Sequence, residues 1–102
     1  MIEKYFKPLY QRTMYEAYSL ADAKIVRTLN KGGKCLDCGA NNGTKYTALN
    51  KMMPLEKDRY YGVEWNSDLA EEARRNDLNV VQGDLNKAMG FPNENFKCIF
   101  GL

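Results

Sequence analysis

The sequence predicts an α/β fold: a Rossmann-like three-layer α/β/α arrangement with a mainly parallel sheet of about four strands, preceded by an N-terminal helix. Three observations carry that expectation. From Lys34 onward, short apolar runs alternate with segments of helical character. The first run contains an acid, Asp37, and turns through two glycines, Gly39 and Gly43, into a helical stretch. Two further acids, Glu64 and Asp84, stand at or just beyond the ends of the next two runs.

Taken in order, residues 8–29 read as one helix. Tyr10, Met14, Tyr18 (or Ala17), Ala21, Ile25 and Leu29 recur at three- and four-residue steps and form an apolar stripe. Asn30-Lys31-Gly32-Gly33 supplies the stop. The aromatic residues Tyr5, Phe6, Tyr10, Tyr15 and Tyr18 could wall a substrate pocket, but a packing face against the sheet is the plainer reading. Lys34 to Cys38 is the first strand and Thr44 to Met53 a helix stopped before Pro54. Arg59 to Glu64 is the second strand. Asn66 or Ser67 caps a helix running to about Asn76, with Asp68, Glu71 and Glu72 early and Arg74 and Arg75 late, as the helix dipole favours. Leu78 to Gln82 is the third strand, Asp84 to Gly90 a short connection or helical turn, Phe91 to Asn95 a turn, and Phe96 to Phe100 the fourth strand. Alternating strands and helices imply parallel pairing with right-handed crossovers, and ligands on such sheets bind at the carboxyl ends of the strands.

Composition bounds the function. A chain of 102 residues is one domain at most. Its net charge of +2, with basic residues spread over several elements, gives no support to a nucleic-acid or acidic-membrane partner. The start does not resemble a signal peptide, and no apolar run approaches the ~18 residues of a membrane span. An intracellular, cytoplasmic protein is the default expectation. Cys35, Cys38 and Cys98 are an odd number and suggest no disulfide framework. Cys35 and Cys38 form a C-x-x-C, yet the chain has no histidine and only one further cysteine to complete a zinc site. Both also fall on a strand rather than at a helix N-terminus, where a redox pair is activated. They read as strand residues, and no metal is expected.

Asp37, Glu64 and Asp84 converge on one rim of a parallel sheet although they are far apart in sequence. Each alone reads as a cap or solvated loop residue. Together, with the glycine turn between them, they read as a ligand site. A carboxylate ending the second strand can accept from both ribose hydroxyls of a nucleoside. Trp65 beside it can cover a base, although partial burial by packing explains it nearly as well. Asp84 can accept from the adenine amino group, and the backbone N–H of Leu85 can address a ring nitrogen.

These residues together resemble the class I S-adenosylmethionine-dependent methyltransferases. Leu36-Asp37-Cys38-Gly39-Ala40-Asn41-Asn42-Gly43 is similar to the family's first motif, D-x-G-x-G-x-G, with Asn41 in place of the middle glycine. That departure predicts a different loop path or an asparagine in the left-handed conformation. Tyr61 to Asn66 resembles the second motif, which ends in the ribose-binding acid, and Val80 to Leu85 the third, which reads adenine. Phe91 to Phe100 resembles the following turn and strand, with Lys97 where an acid is usual. The resemblance implies S-adenosylmethionine as cofactor: the turn Gly39, Asn41, Gly43 around its methionine portion, Asp37 at the ammonium, Glu64 at the ribose, and Trp65, Asp84 and Leu85 at adenine. It divides the chain into an N-terminal helical segment, 1–33, and a truncated cofactor-binding domain, 34–102. The family core has seven strands, so the acceptor-binding half is expected to lie outside this chain, which alone is not expected to be active. The methyl acceptor stays unidentified. An alternative reading is a non-catalytic module whose fourth-strand edge, Phe96 to Phe100, is completed by self-association or a partner. An NAD-type fold is the nearest rival, but its pyrophosphate would meet the Asp37 carboxylate, which a cationic sulfonium and ammonium tolerate.

Overall fold

The computed structural model describes residues 20–84 and 96–101. The expected helical positions before Leu20, the connection and turn within residues 85–95, and Leu85 itself lie outside the described residues.

Residues 20–29 form helix α1. Ile25 and Leu29 are buried as the periodicity predicts, but Ala21 is exposed and Asp22 is buried in its place. The stripe shifts by one residue at this end only, where Asp22 pairs with Lys45. Gly32 and Gly33, at φ 94° and 95°, end the helix in the left-handed region that glycine adopts without strain. Arg59 seals the same end, its guanidinium donating to the carbonyls of Leu29 and Gly33. A cation at that position also complements the C-terminal pole of the helix dipole.

The remaining elements are β1 (Lys34–Cys38), α2 (Thr44–Met52), β2 (Tyr60–Glu64), α3 (Ser67–Arg75), β3 (Asn79–Gln82) and β4 (Phe96–Gly101). Among the described residues, these elements differ from the sequence expectation only at their ends. Met53 is the C-cap of α2, its N–H donating to Leu49 O, rather than its last helical residue. Lys57–Arg59 forms a 3-10 turn, so β2 begins one residue late. Asn66, not Ser67, is the N-cap of α3, its side chain accepting from the N–H groups of Asp68 and Leu69.

The sheet order is β3-β2-β1-β4, parallel throughout, with Cys35 opposite Tyr60 on one side and Cys98 on the other. This is a Rossmann-like α/β fold. Its inner strand β1 is buried over Cys35, Leu36 and Asp37, as a strand covered on both faces requires. The edge strand β4 alternates half-buried Phe96, Cys98 and Phe100 with exposed Lys97 and Ile99. One core cluster joins Ile25 and Leu29 of α1, Leu49 of α2, and Ala70 and Ala73 of α3 to Cys35, Tyr60 and Val80 of the sheet. Each large apolar side chain so buried contributes about 1.5–3 kcal/mol. Strand order reverses between β1 and β4, and the crevice beyond the carboxyl end of β1 is the topological switch point of the sheet. Among the described residues no helix is long and apolar enough to cross a membrane.

Candidate functional site

The turn leaving β1 is fixed by hydrogen bonds to β2. The N–H groups of Gly39 and Ala40 both donate to Val63 O, at 2.8 and 3.0 Å. Gly39, Asn41 and Gly43 take positive φ values of 94°, 55° and 100°. Asn41 thus supplies the left-handed conformation that the departure from glycine calls for. Asparagine tolerates it because its short side chain bonds locally, Oδ1 accepting from Asn42 N–H at 2.8 Å. Gly43, the N-cap of α2, has a second constraint: an added Cβ would lie 2.4 Å from Leu78 Cδ1.

Glu64 ends β2 and is 9% exposed. Its Oε1 accepts from Asn41 N–H at 2.7 Å and its Oε2 from Asn66 N–H at 2.8 Å. One carboxylate therefore joins the glycine turn, the end of β2 and the N-cap of α3. Asp37 is 3% exposed, and Oδ2 accepts a 2.6 Å hydrogen bond from the Tyr60 hydroxyl. Burial raises the Asp37 carboxyl above its ordinary range; the Tyr60 hydrogen bond and the Lys45 charge oppose that rise, while Glu64 and Asp22 add to it. Lys45, in the first turn of α2, bonds Asp22 Oδ1 at 2.6 Å.

A cavity of about 490 Å³ opens at the switch point, lined among others by Asp22, Asp37, Gly39, Asn41, Lys45 and Phe100. Its size suits a small-molecule ligand. A larger cavity, about 800 Å³, is lined from α2 and α3 and includes Gly43, Lys51 and Glu72, but neither Asp37 nor Glu64 reaches it. Of the residues expected from sequence, Asp37, Gly39 and Asn41 line the smaller cavity, and Glu64 sits directly behind Asn41. Trp65 is 72% exposed beside Glu64 and lines neither cavity, its carbonyl held by Gln82 Nε2 at 2.9 Å. Asp84 is half-buried just past β3, where Gly83 N–H donates to Glu64 O, and it too lines neither cavity.

Sequence reasoning missed Asp22, Lys45 and Tyr60. Lys45 left a trace, since a cation in the first turn of a helix opposes the dipole and calls for an anionic partner. Asp22, an acid between the apolar positions Ala21 and Ile25, left another. Tyr60 left none, because an aromatic residue in a strand reads as core. The cysteines behave as strand residues: burial pushes the Cys35 thiol up to about 12 and also raises Cys38, so neither is an activated thiolate at neutral pH.

No family model and no curated protein matches the chain. Solved structures do. DesVI of Streptomyces venezuelae aligns over 94% of this chain with a TM-score of 0.60 at 18% identity. The plantazolicin methyltransferase BpumL, in complex with SAH, aligns over 97% with a TM-score of 0.60 at 14% identity. The chain shares its Rossmann-like α/β fold with these two structures. It spans 41% of DesVI and 44% of BpumL, less than half the length of either. Within that fold the cavity lies at the β1 switch point, and the acid-bearing glycine turn forms part of its wall.

Proposed function

We propose that the chain is the cofactor-binding part of an S-adenosylmethionine-dependent methyltransferase whose acceptor is not yet identified. The observation that carries this reading is the hydrogen bond from Asn41 N–H to Glu64, which sets the ribose-type acid of β2 against the glycine turn beside a cavity containing Asp37. The BpumL complex with SAH, the demethylated product of S-adenosylmethionine, adds support at the level of fold.

The donor set fits the cofactor. Two carboxylates, Asp22 and Asp37, and one ammonium, Lys45, line the cavity, a balance suited to a ligand with more positive than negative charge. Asp37 receives the ligand's ammonium, and the backbone of Gly39 to Gly43 encloses the methionine portion. Each Glu64 oxygen already accepts one backbone N–H and keeps a second acceptor position for a ribose hydroxyl. Trp65 covers a face of adenine, with Asp84 at its edge. Once bound, the sulfonium supplies an already activated methyl group, so positioning provides much of the rate. An acceptor that needs a general base draws it from residues beyond those named. The free thiols Cys35, Cys38 and Cys98 suit a reducing, cytoplasmic setting.

Calorimetric titration with S-adenosylmethionine, SAH and NAD tests the assignment. Binding of the first two without NAD is the expected result, and binding of NAD alone would overturn it. A second reading, a non-catalytic module joined to another strand at β4, draws on the exposure of Ile99, 63%, on that edge. Silence toward all three ligands together with concentration-dependent sedimentation would favour it.

A further inference from the structure

Tyr60 is fully buried at the start of β2, yet its hydroxyl reaches forward to Asp37 rather than ending in the core. Its ring already has a packing role, meeting the Tyr46 ring edge-on at a centroid distance of 5.3 Å within the cluster that holds Cys35 and Leu49. Phenylalanine would satisfy that role. The hydroxyl needs a separate explanation, and the 2.6 Å bond to Oδ2 of a cavity-lining acid provides one. We infer that Tyr60 is a positioning residue for ligand recognition: its hydroxyl takes one oxygen of Asp37, fixes the carboxylate at the cavity wall, and leaves Oδ1 for a cationic amino group. The inference rests on the cofactor reading above and adds to it the group that keeps Asp37 oriented and charged.

The surroundings of Asp37 make this hydroxyl matter. Cys35 and Cys38 flank it on β1, Tyr60 and Glu64 face it from β2, Lys45 from α2 and Asp22 from α1; Phe100 and Gly101 of β4, which also line the cavity, bring no charge. Burial, Glu64 and Asp22 all favour the neutral acid. Against them stand the Tyr60 hydrogen bond, the larger of the two opposing influences, and Lys45, which Asp22 already engages. Burial and the charge of Asp37 push the Tyr60 hydroxyl far above its ordinary value, so it stays a donor at every pH of interest. Removing that donor raises Asp37 further, and the acid becomes neutral at a higher pH. Recognition of an ammonium that depends on the carboxylate is then lost at a higher pH as well.

Affinities of the native chain and Tyr60→Phe for SAH, measured by calorimetry from about pH 5 to 8, test this, with 5′-methylthioadenosine as a probe that lacks the amino-acid end. The expected result is an upward displacement of the SAH midpoint by about one pH unit, and about tenfold weaker SAH binding below that midpoint. Methylthioadenosine binding should stay unchanged. Asp37→Asn, made separately, should erase the pH step and render Tyr60→Phe silent when the two are combined. An unshifted midpoint, an equal loss for both nucleosides, or a pH step that survives Asp37→Asn would each overturn the inference while leaving the cofactor reading in place. Failure of the native chain to bind either nucleoside would instead remove the cofactor reading, and this inference with it.

Discussion

At position 37 the residue chemistry opposes the fold. Burial holds the Asp37 carboxyl above its ordinary value, so the folded chain binds that proton more tightly than the unfolded chain does. The linked stability is complete in acid, below an ordinary carboxyl value of about 4, and is lost as pH rises through the elevated one. An asparagine at this position would keep an acceptor for the Tyr60 hydroxyl and carry no charge. Asp37→Asn should therefore melt several degrees above the native chain at neutral pH, with the gap closing in acid; thermal unfolding at the two pH values measures it. Asp37 and Asn41 were legible in the sequence because both belong to a local turn whose geometry follows from residue type. The Tyr60 and Lys45–Asp22 contacts were not, since each joins residues 23 positions apart and depends on how separate elements pack.

Among the elements, β2 and the glycine turn are matched by absence of a side chain. A Cβ added at Gly62 would lie 2.5 Å from Ala40 Cβ and 3.2 Å from Val80 Cγ2. Ala40 belongs to the turn that Val63 O holds, so relief has to come from moving that turn. Gly62→Ala should destabilise the chain by about 1–3 kcal/mol, readable in denaturant unfolding, and should weaken SAH binding as the turn shifts. Element types and order were readable from alternation and caps. The ends were less so: β2 starts late at a 3-10 turn whose Arg59 serves the C-terminus of α1 through its side chain, a tertiary contact that strand propensity does not register. The shift of the α1 stripe from Ala21 to Asp22 likewise falls at a tertiary contact, an ion pair with a different helix.

For the molecule as a whole, Glu64 is a structural tie as well as a candidate ligand group. An acid that served only a ribose would make Glu64→Ala a test of binding with little effect on stability. The structure corrects that, because both carboxylate oxygens accept backbone N–H groups from segments on either side of β2. Glu64→Ala should cost about 2–4 kcal/mol of stability as well as affinity, and Glu64→Gln less, because its amide oxygen can still accept from Asn41. Denaturant unfolding and titration on the same samples separate the two effects. The overall fold was legible because parallel α/β topology follows from the alternation of elements. The division of labour within the site was not, since hydrogen bonding across the sheet decides it.

The buried acid of β1 bears on how such a chain changes over generations. Selection for folding alone gives no reason to keep aspartate where its amide would sit more comfortably, so neutral drift should run toward asparagine. A chain carrying the amide at this position would be expected to keep its shape, so what the acid adds lies outside folding.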